Sequence, residues 1–271
     1  MKDMFTKVAA AAAILAGAST GANAFVVLTL TDFDVTTNSI DAQKSCSTFN
    51  AASVASCTAL GFIAVVGGNT ITFGTTLQGL GGGFATSGVL GAFRIGTTSG
   101  ISNTPGTAFE ATTDRSQTSA TRNAVDASVQ RLLVDFQSFN FSDPNGLFKT
   151  LSGSSGITAN TGSFAATDAV TTFFSVDANN GLAATASVTC TLTAINNPLN
   201  QSCGLGPVPW IDNGGLFSMR SIQEFNIAVG TTINSTSNSA VNNVPEPMTT
   251  ALVGVALLGV GLASRRSAKK T

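Results

Sequence analysis

Acid–base and nucleophilic catalysis near neutral pH lean on histidine, and this chain of 271 residues contains none. Serine or cysteine hydrolysis with a histidine base, HExxH zinc sites and histidine-ligated haem are therefore closed to the chain acting alone. Paired carboxylates, as in glycoside cleavage, are the device that remains. The candidates are Asp32, Asp34, Asp41, Glu110, Asp114, Asp126, Asp135, Asp143, Asp168, Asp177, Asp212 and Glu224, and no spacing couples any two of them. Most read as surface acids that supply solubility, so no catalytic residue is expected. Asp32, Asp34, Asn38 and Asp41 offer hard oxygen ligands for calcium, but the stretch lacks the glycine turn and closing Glu of an EF-hand loop. The Gly79-Leu80-Gly81-Gly82-Gly83 tract lacks both the Lys-Ser/Thr ending of a phosphate loop and dinucleotide spacing, and reads as a turn or bulge. No resident metal or cofactor is expected. Trp210, between Pro209 and Ile211, is the single tryptophan. It fits either a sugar-stacking platform or, preferably, a core position.

Charged residues make up 10% of the chain, against about a quarter in ordinary globular proteins. A formal net charge of −1 gives no electrostatic case for nucleic acid as a partner. The two ends distort these totals. Lys2 and Lys7 precede an apolar run, Val8 to Ala18, followed by small residues ending Ala22-Asn23-Ala24. That pattern is a secretory signal peptide over residues 1–24, with signal peptidase cutting between Ala24 and Phe25. The apolar run is too short to span a bilayer.

At the other end, Pro245-Glu246-Pro247 is followed by an apolar stretch, residues 248–263, and then by Arg265, Arg266, Lys269 and Lys270. A chain exported from its N-terminus would stall on such a stretch, with the basic cluster held on the cytoplasmic side. Two prolines keep the preceding segment extended and accessible to a protease. This tripartite tail, residues 244–271, resembles the PEP-CTERM sorting signal of Gram-negative bacteria that secrete exopolysaccharide. The resemblance implies that a membrane-embedded transpeptidase, exosortase, recognises Pro245, Glu246 and Pro247, removes the transmembrane helix 248–263, and releases or transfers the protein to the cell surface or biofilm matrix. The membrane is then a transient partner. The tail is attached to many unrelated domains and says little about the middle of the chain.

With the ends set aside, the central region carries a net charge of about −5 and is rich in Thr, Ser, Asn and Gly. Its four cysteines, Cys46, Cys57, Cys190 and Cys203, point to disulfides in an oxidising compartment. Three connectivities are open. Proximity in sequence favours Cys46–Cys57 and Cys190–Cys203, the latter bracketing a turn at Asn196-Asn197-Pro198. Short β-branched and aromatic runs, among them Phe25 to Leu30, Thr70 to Phe73, Val170 to Val176 and Ala186 to Ala194, alternate with turn signals such as Gly67-Gly68-Asn69, Asn179-Asn180-Gly181 and Asn213-Gly214-Gly215.

These elements predict an all-β, antiparallel, sandwich-like secreted domain over residues 25–229. One helix is entertained over residues 119–136, where Val125, Val129, Leu132, Leu133 and Phe136 share a stripe, although Leu132 to Phe141 also alternates as a strand. Residues 230–243 read as a polar linker holding the domain clear of the membrane. The functional expectation is a non-catalytic, exported surface or matrix protein associated with exopolysaccharide. A secreted glycan hydrolase using two carboxylates and a self-assembling adhesin are the alternatives.

Overall fold

The computed structural model describes residues 25–73, 88–96, 98–104, 106–107, 110–123, 129–142, 146–161, 167–193 and 200–244. The signal-peptide segment, the Pro-Glu-Pro motif, the apolar stretch 248–263 and the basic tail lie outside them, as do the glycine tract and the Asn196-Asn197-Pro198 turn. No helix among the described residues is long and apolar enough to cross a membrane.

In chain order the elements are β1 (Phe25–Asp34), β2 (Ser39–Ser47), α1 (Ala51–Ala59), β3 (Phe62–Ala64), β4 (Thr70–Phe73), β5 (Gly88–Leu90), β6 (Phe93–Ile95), β7 (Thr98–Ser102), β8 (Glu110–Arg122), β9 (Gln130–Phe141), β10 (Phe148–Thr161), β11 (Ala169–Asp177), β12 (Ala186–Thr193), β13 (Asn200–Ile211), β14 (Phe217–Asn226) and β15 (Thr232–Asn243). They form two antiparallel sheets. One has six strands in the order β12-β11-β14-β9-β1-β2; the other runs β13-β10-β15-β8-β7-β4-β3, with the β5–β6 hairpin joined to β8. The last eight strands place β13-β10-β15-β8 in one sheet and β12-β11-β14-β9 in the other, which is jelly-roll connectivity. β1 and β2 extend one sheet and β7, β4 and β3 the other.

The all-β sandwich expected from turn and strand signals is present, but two boundaries differ. The described residues of the stretch 119–136 form strands rather than a helix: β8 runs through Arg122 and β9 begins at Gln130, while residues 124–128, Val125 among them, lie outside the described residues. β9 is buried on both faces, so Leu132, Val134 and Phe136 on one side and Leu133 and Phe139 on the other erase the two-residue alternation. Nor are residues 230–243 a linker. β15 lies inside the second sheet, bonded to β10 from Lys149↔Asn243 to Thr161↔Thr232 and to β8 on its other side. The domain therefore extends to the residue before the Pro-Glu-Pro motif.

Both open sides of the sandwich are closed, one by a disulfide between the sheets and the other by a disulfide-tethered helix packed across them. Cys190 on β12 is bridged to Cys203 on β13, the edge strands of the two sheets, with Cα atoms 6.4 Å apart. At the other side α1 packs on β2 and β3, again one edge from each sheet. The Cys46–Cys57 bridge ties it to β2. α1 starts at Asn50, whose side-chain oxygen accepts from the Ser53 amide at 2.9 Å, and continues through alanines of high helix propensity.

Between the sheets, apolar side chains form two clusters separated by a polar layer. Along β10, Leu151 belongs to one cluster and Ile157 to the other, with Gly153 and Ser155 between; β15 runs Ile233, then Ser235, Ser237 and Ser239, then Val241. The polar groups satisfy one another: Ser155 with Thr172 at 2.7 Å, Thr113 with Ser239 at 2.7 Å, and Ser102 and Thr104 each with Ser138 at 2.7 Å. Arg115 lies in this layer, donating to the Val134 carbonyl at 3.0 Å and to Ser237 Oγ at 2.9 Å.

Candidate functional site

The carboxylates expected at the surface are largely buried, because the fold uses them as internal acceptors. On the outer face of the six-stranded sheet, Asp135 accepts from Arg220 Nε at 3.0 Å and Nη2 at 2.7 Å and from Gln137 Nε2 at 2.8 Å. Asp135 holds the Arg220 guanidinium above its ordinary value, outweighing the opposing effect of burial. One diagonal step away, Glu224 accepts from Arg131 at 2.6 Å. Burial still raises Glu224, with Arg131 acting in the opposite direction. Asp177 accepts from the Asn179 and Ala183 amides, each at 2.8 Å, and thereby fixes its turn. Asp168 accepts from the Ala228 amide at 2.7 Å, and Asp114 from the Asn238 side chain. Asp126 and Asp143 lie outside the described residues.

The calcium candidates do not converge. Asp34 turns onto its own loop, accepting from the Thr36 and Thr37 amides at 2.7 and 3.2 Å; burial opposes, but these bonds hold its carboxyl below the ordinary value. Asp32 accepts from the Ala92 amide at 2.7 Å and is raised, first by burial and then by Asp41. Asn38 occupies the left-handed region of a turn, with φ of 56°. Among the described residues no three acidic, cysteine or histidine side chains are placed to hold a metal ion.

Trp210 is a core residue, 5% exposed and packed edge-on to Phe217 with ring centroids 5.5 Å apart. The buried Lys149 ammonium pairs with Asp212 and sits 4.5 Å from the Phe217 ring centroid and 5.5 Å from that of Trp210. Phe25, the residue after the expected signal cleavage, is the first of β1 and stacks on Phe139 at 4.7 Å.

The described residues also form a concavity. On the nine-stranded sheet, where β13, β10 and β15 lie side by side, a shallow cleft of about 460 Å³ is lined by residues including Gly156, Thr158, Gln201, Ser202, Asn234 and Thr236. Gly156 forms its floor, where a Cβ would meet Thr236 Oγ1 at 3.4 Å. The lining combines hydroxyls, amides and backbone groups with the apolar Ile157, and none of its residues has a charged side chain. Hydroxyl and amide groups of this kind can donate to and accept from a neutral polyhydroxy ligand, and none of the lining side chains is a carboxylate that could serve in paired acid–base cleavage. Sequence reasoning did not find these residues; Asn234 and Thr236 belong to the run read as a linker.

No protein-family model matches the chain, and no curated protein matches it. Among solved structures, it is similar to dimeric latent PorU from Porphyromonas gingivalis at 14% identity and a TM-score of 0.20, over 35% of this chain and 8% of that one. A second likeness is to the K1 cleaved adhesin domain of Lys-gingipain from Porphyromonas gingivalis W83, at 11% identity and a TM-score of 0.23, covering 58% and 94%. A third is to TmCBM27, a carbohydrate-binding module described with specific mannan recognition, at 6% identity and a TM-score of 0.26, covering 56% and 90%. Likenesses this weak carry no argument about function.

Proposed function

We propose that the protein is an exported cell-surface or matrix component, cut by an exosortase at its Pro-Glu-Pro motif, whose sandwich holds neutral exopolysaccharide without cleaving it. The observation that carries this reading is the cleft on the nine-stranded sheet, which joins hydroxyl and amide groups to apolar surface and has no charged side chain among its lining residues. The two disulfides at the sandwich edges fit an extracellular destination. The sorting part rests on Pro245, Glu246 and Pro247 with the apolar and basic segments behind them.

A glycan array probed with the secreted protein, with products analysed in parallel, tests the binding part. Retention of a neutral glycan without product is expected, and Gly156→Val, which fills the floor of the cleft, should weaken it about tenfold or more. Sugar release would make the protein a hydrolase. Absence of any glycan interaction would favour a self-assembling adhesin. Mass spectrometry of the extracellular form tests the sorting part: a C-terminal peptide ending near residues 245–247 is expected, and an intact Arg265-Arg266 tail would mean a permanent anchor.

A further inference from the structure

The two chain ends that carry apolar segments leave the sandwich together. β1 begins at Phe25 opposite Phe139, near the end of β9, and β10 begins soon afterwards at Phe148. β15 finishes at the same end, with Asn243 opposite Lys149 and the Val244 amide donating to the Phe148 carbonyl at 2.9 Å. From Val244 to Met248, where the apolar stretch begins, the chain can reach at most about 14 Å. That is only about twice the depth of one headgroup layer. With β15 built into the sheet, no spacer holds the domain away.

The surface at this end suits that position. Leu147, Phe148 and Ile211 are 51%, 46% and 61% exposed, and Phe148 and Ile211 face each other across the β10–β13 ladder, so they form a contiguous apolar rim. The charged groups beside them, Lys149 and Asp212, are turned inward and paired, leaving 1% and 4% of their side chains exposed. Asp177 near the same end is buried and bonded to its own turn. An apolar rim whose immediate charged neighbours among the described residues, Lys149 and Asp212, are buried and paired is a surface that partitions into the headgroup region, not one built to stay in water.

We infer that, in the tethered chain, the rim formed by Leu147, Phe148 and Ile211 rests in the interfacial layer of the bilayer that holds residues 248–263. The inference depends on the proposed anchoring of that stretch and adds an orientation to it: the sandwich stands end-on, with β10, β13 and β15 pointing into the membrane surface and the opposite end, bearing Ile40, facing outward.

The test uses the full chain, purified and reconstituted into phosphatidylethanolamine–phosphatidylglycerol vesicles. p-Benzoylphenylalanine is installed in place of Phe148 in one sample and of Ile40, 39% exposed at the far end, in another. After illumination, lipid adducts at position 148 are expected at tenfold or greater excess over position 40. Equal yields, or adducts at 148 to a second protein chain in place of lipid, would overturn the inference. Flotation of the vesicles in urea separates the two levels of the argument. Protein that floats without lipid adducts at 148 refutes the orientation alone, and protein that does not float refutes the anchoring with it.

Discussion

Arg115 allows a quantitative test of how the sandwich tolerates a polar interior. Its guanidinium lies between the sheets with two donors engaged, while Nε has no hydrogen-bond partner among the described residues. Burial pushes its pKa down to about 9, with Asp135 opposing. The sign follows from linkage. Below pH 9 both folded and unfolded chains hold the proton, and the folded state bears the full cost of the buried charge. Between about 9 and the ordinary arginine range, the folded state releases the proton first, so the contribution of this group to stability increases with pH. A folded-state value of about 9 gives a gain on the order of 1 kcal/mol at pH 10 relative to pH 7. Arg115→Met removes the charge at similar length. It forfeits two hydrogen bonds worth about 1.5–3 kcal/mol each when charged, against a desolvation cost on the order of several kcal/mol. The variant should therefore be neutral or stabilised by up to a few kcal/mol at pH 7, and should lack the alkaline gain. Urea unfolding followed by fluorescence of Trp210, a buried reporter, measures both chains at the two pH values. All four cysteines are paired, so alkaline pH leaves no thiol among them to start exchange. A loss of 3 kcal/mol or more at pH 7, or a pH dependence unchanged from the parent, would refute the reasoning.

Replacing Cys190 and Cys203 together by serine opens a loop of 13-residue separation and should cost about 3 kcal/mol, lowering Tm by about 6–12 °C in calorimetry; a fall under about 2 °C would mean the bridge does not hold the sheets together. Ser237→Pro removes an amide from the centre of β15, between Arg115 and Ser155, and should destabilise by on the order of 3 kcal/mol or more in urea. A linker would tolerate that change, so a shift within about 0.5 kcal/mol would restore the linker reading. Gly153→Ala places a Cβ into the Phe174 ring and should cost about 1–3 kcal/mol by the same assay, with an unchanged midpoint counting against the tight inter-sheet packing.

What the sequence revealed and what it hid follow from how many faces of a strand meet water. β12 reads plainly because Val188, Cys190 and Leu192 are buried while Ser187, Thr189 and Thr191 are exposed. Thr70–Phe73 is a strand with the bounds expected, alternating in the same way. β9 was obscured by the opposite circumstance, since apolar residues on both faces match a helical stripe as well as a strand. β15 was obscured by a third. Its inward positions are Ser235, Ser237 and Ser239, which meet Gln223 across the sandwich and Arg115 and Thr113 on the neighbouring β8, and its outward ones are Asn234, Thr236 and Asn238. Hydropathy cannot separate two polar faces. The cleft shares the difficulty, because its lining is drawn from such strands. α1, also missed, did carry a signal: Asn50 as a cap before an alanine-rich run.

The extended boundary of the domain bears on the order of events along the proposed export route. Phe25 is 5% exposed, paired into β1 and stacked on Phe139, so a peptidase that needs an extended chain on both sides of the Ala24–Phe25 bond must act before β1 docks. The C-terminal cut differs. Val244 is the last of the described residues and is tied to the sandwich, and Pro245 follows it in the sequence. Cleavage there leaves Ile233, Val241 and the serine row of β15 in place, so it is compatible with a fully folded, disulfide-closed domain. The two prolines gain a second purpose from this arrangement. They lack the amides with which an extended segment would continue the β10–β15 ladder. The last backbone bond among the described residues, from Val244 to Phe148, lies just before the first of these prolines, so the proposed cut at the motif would break no bond of the described sheet.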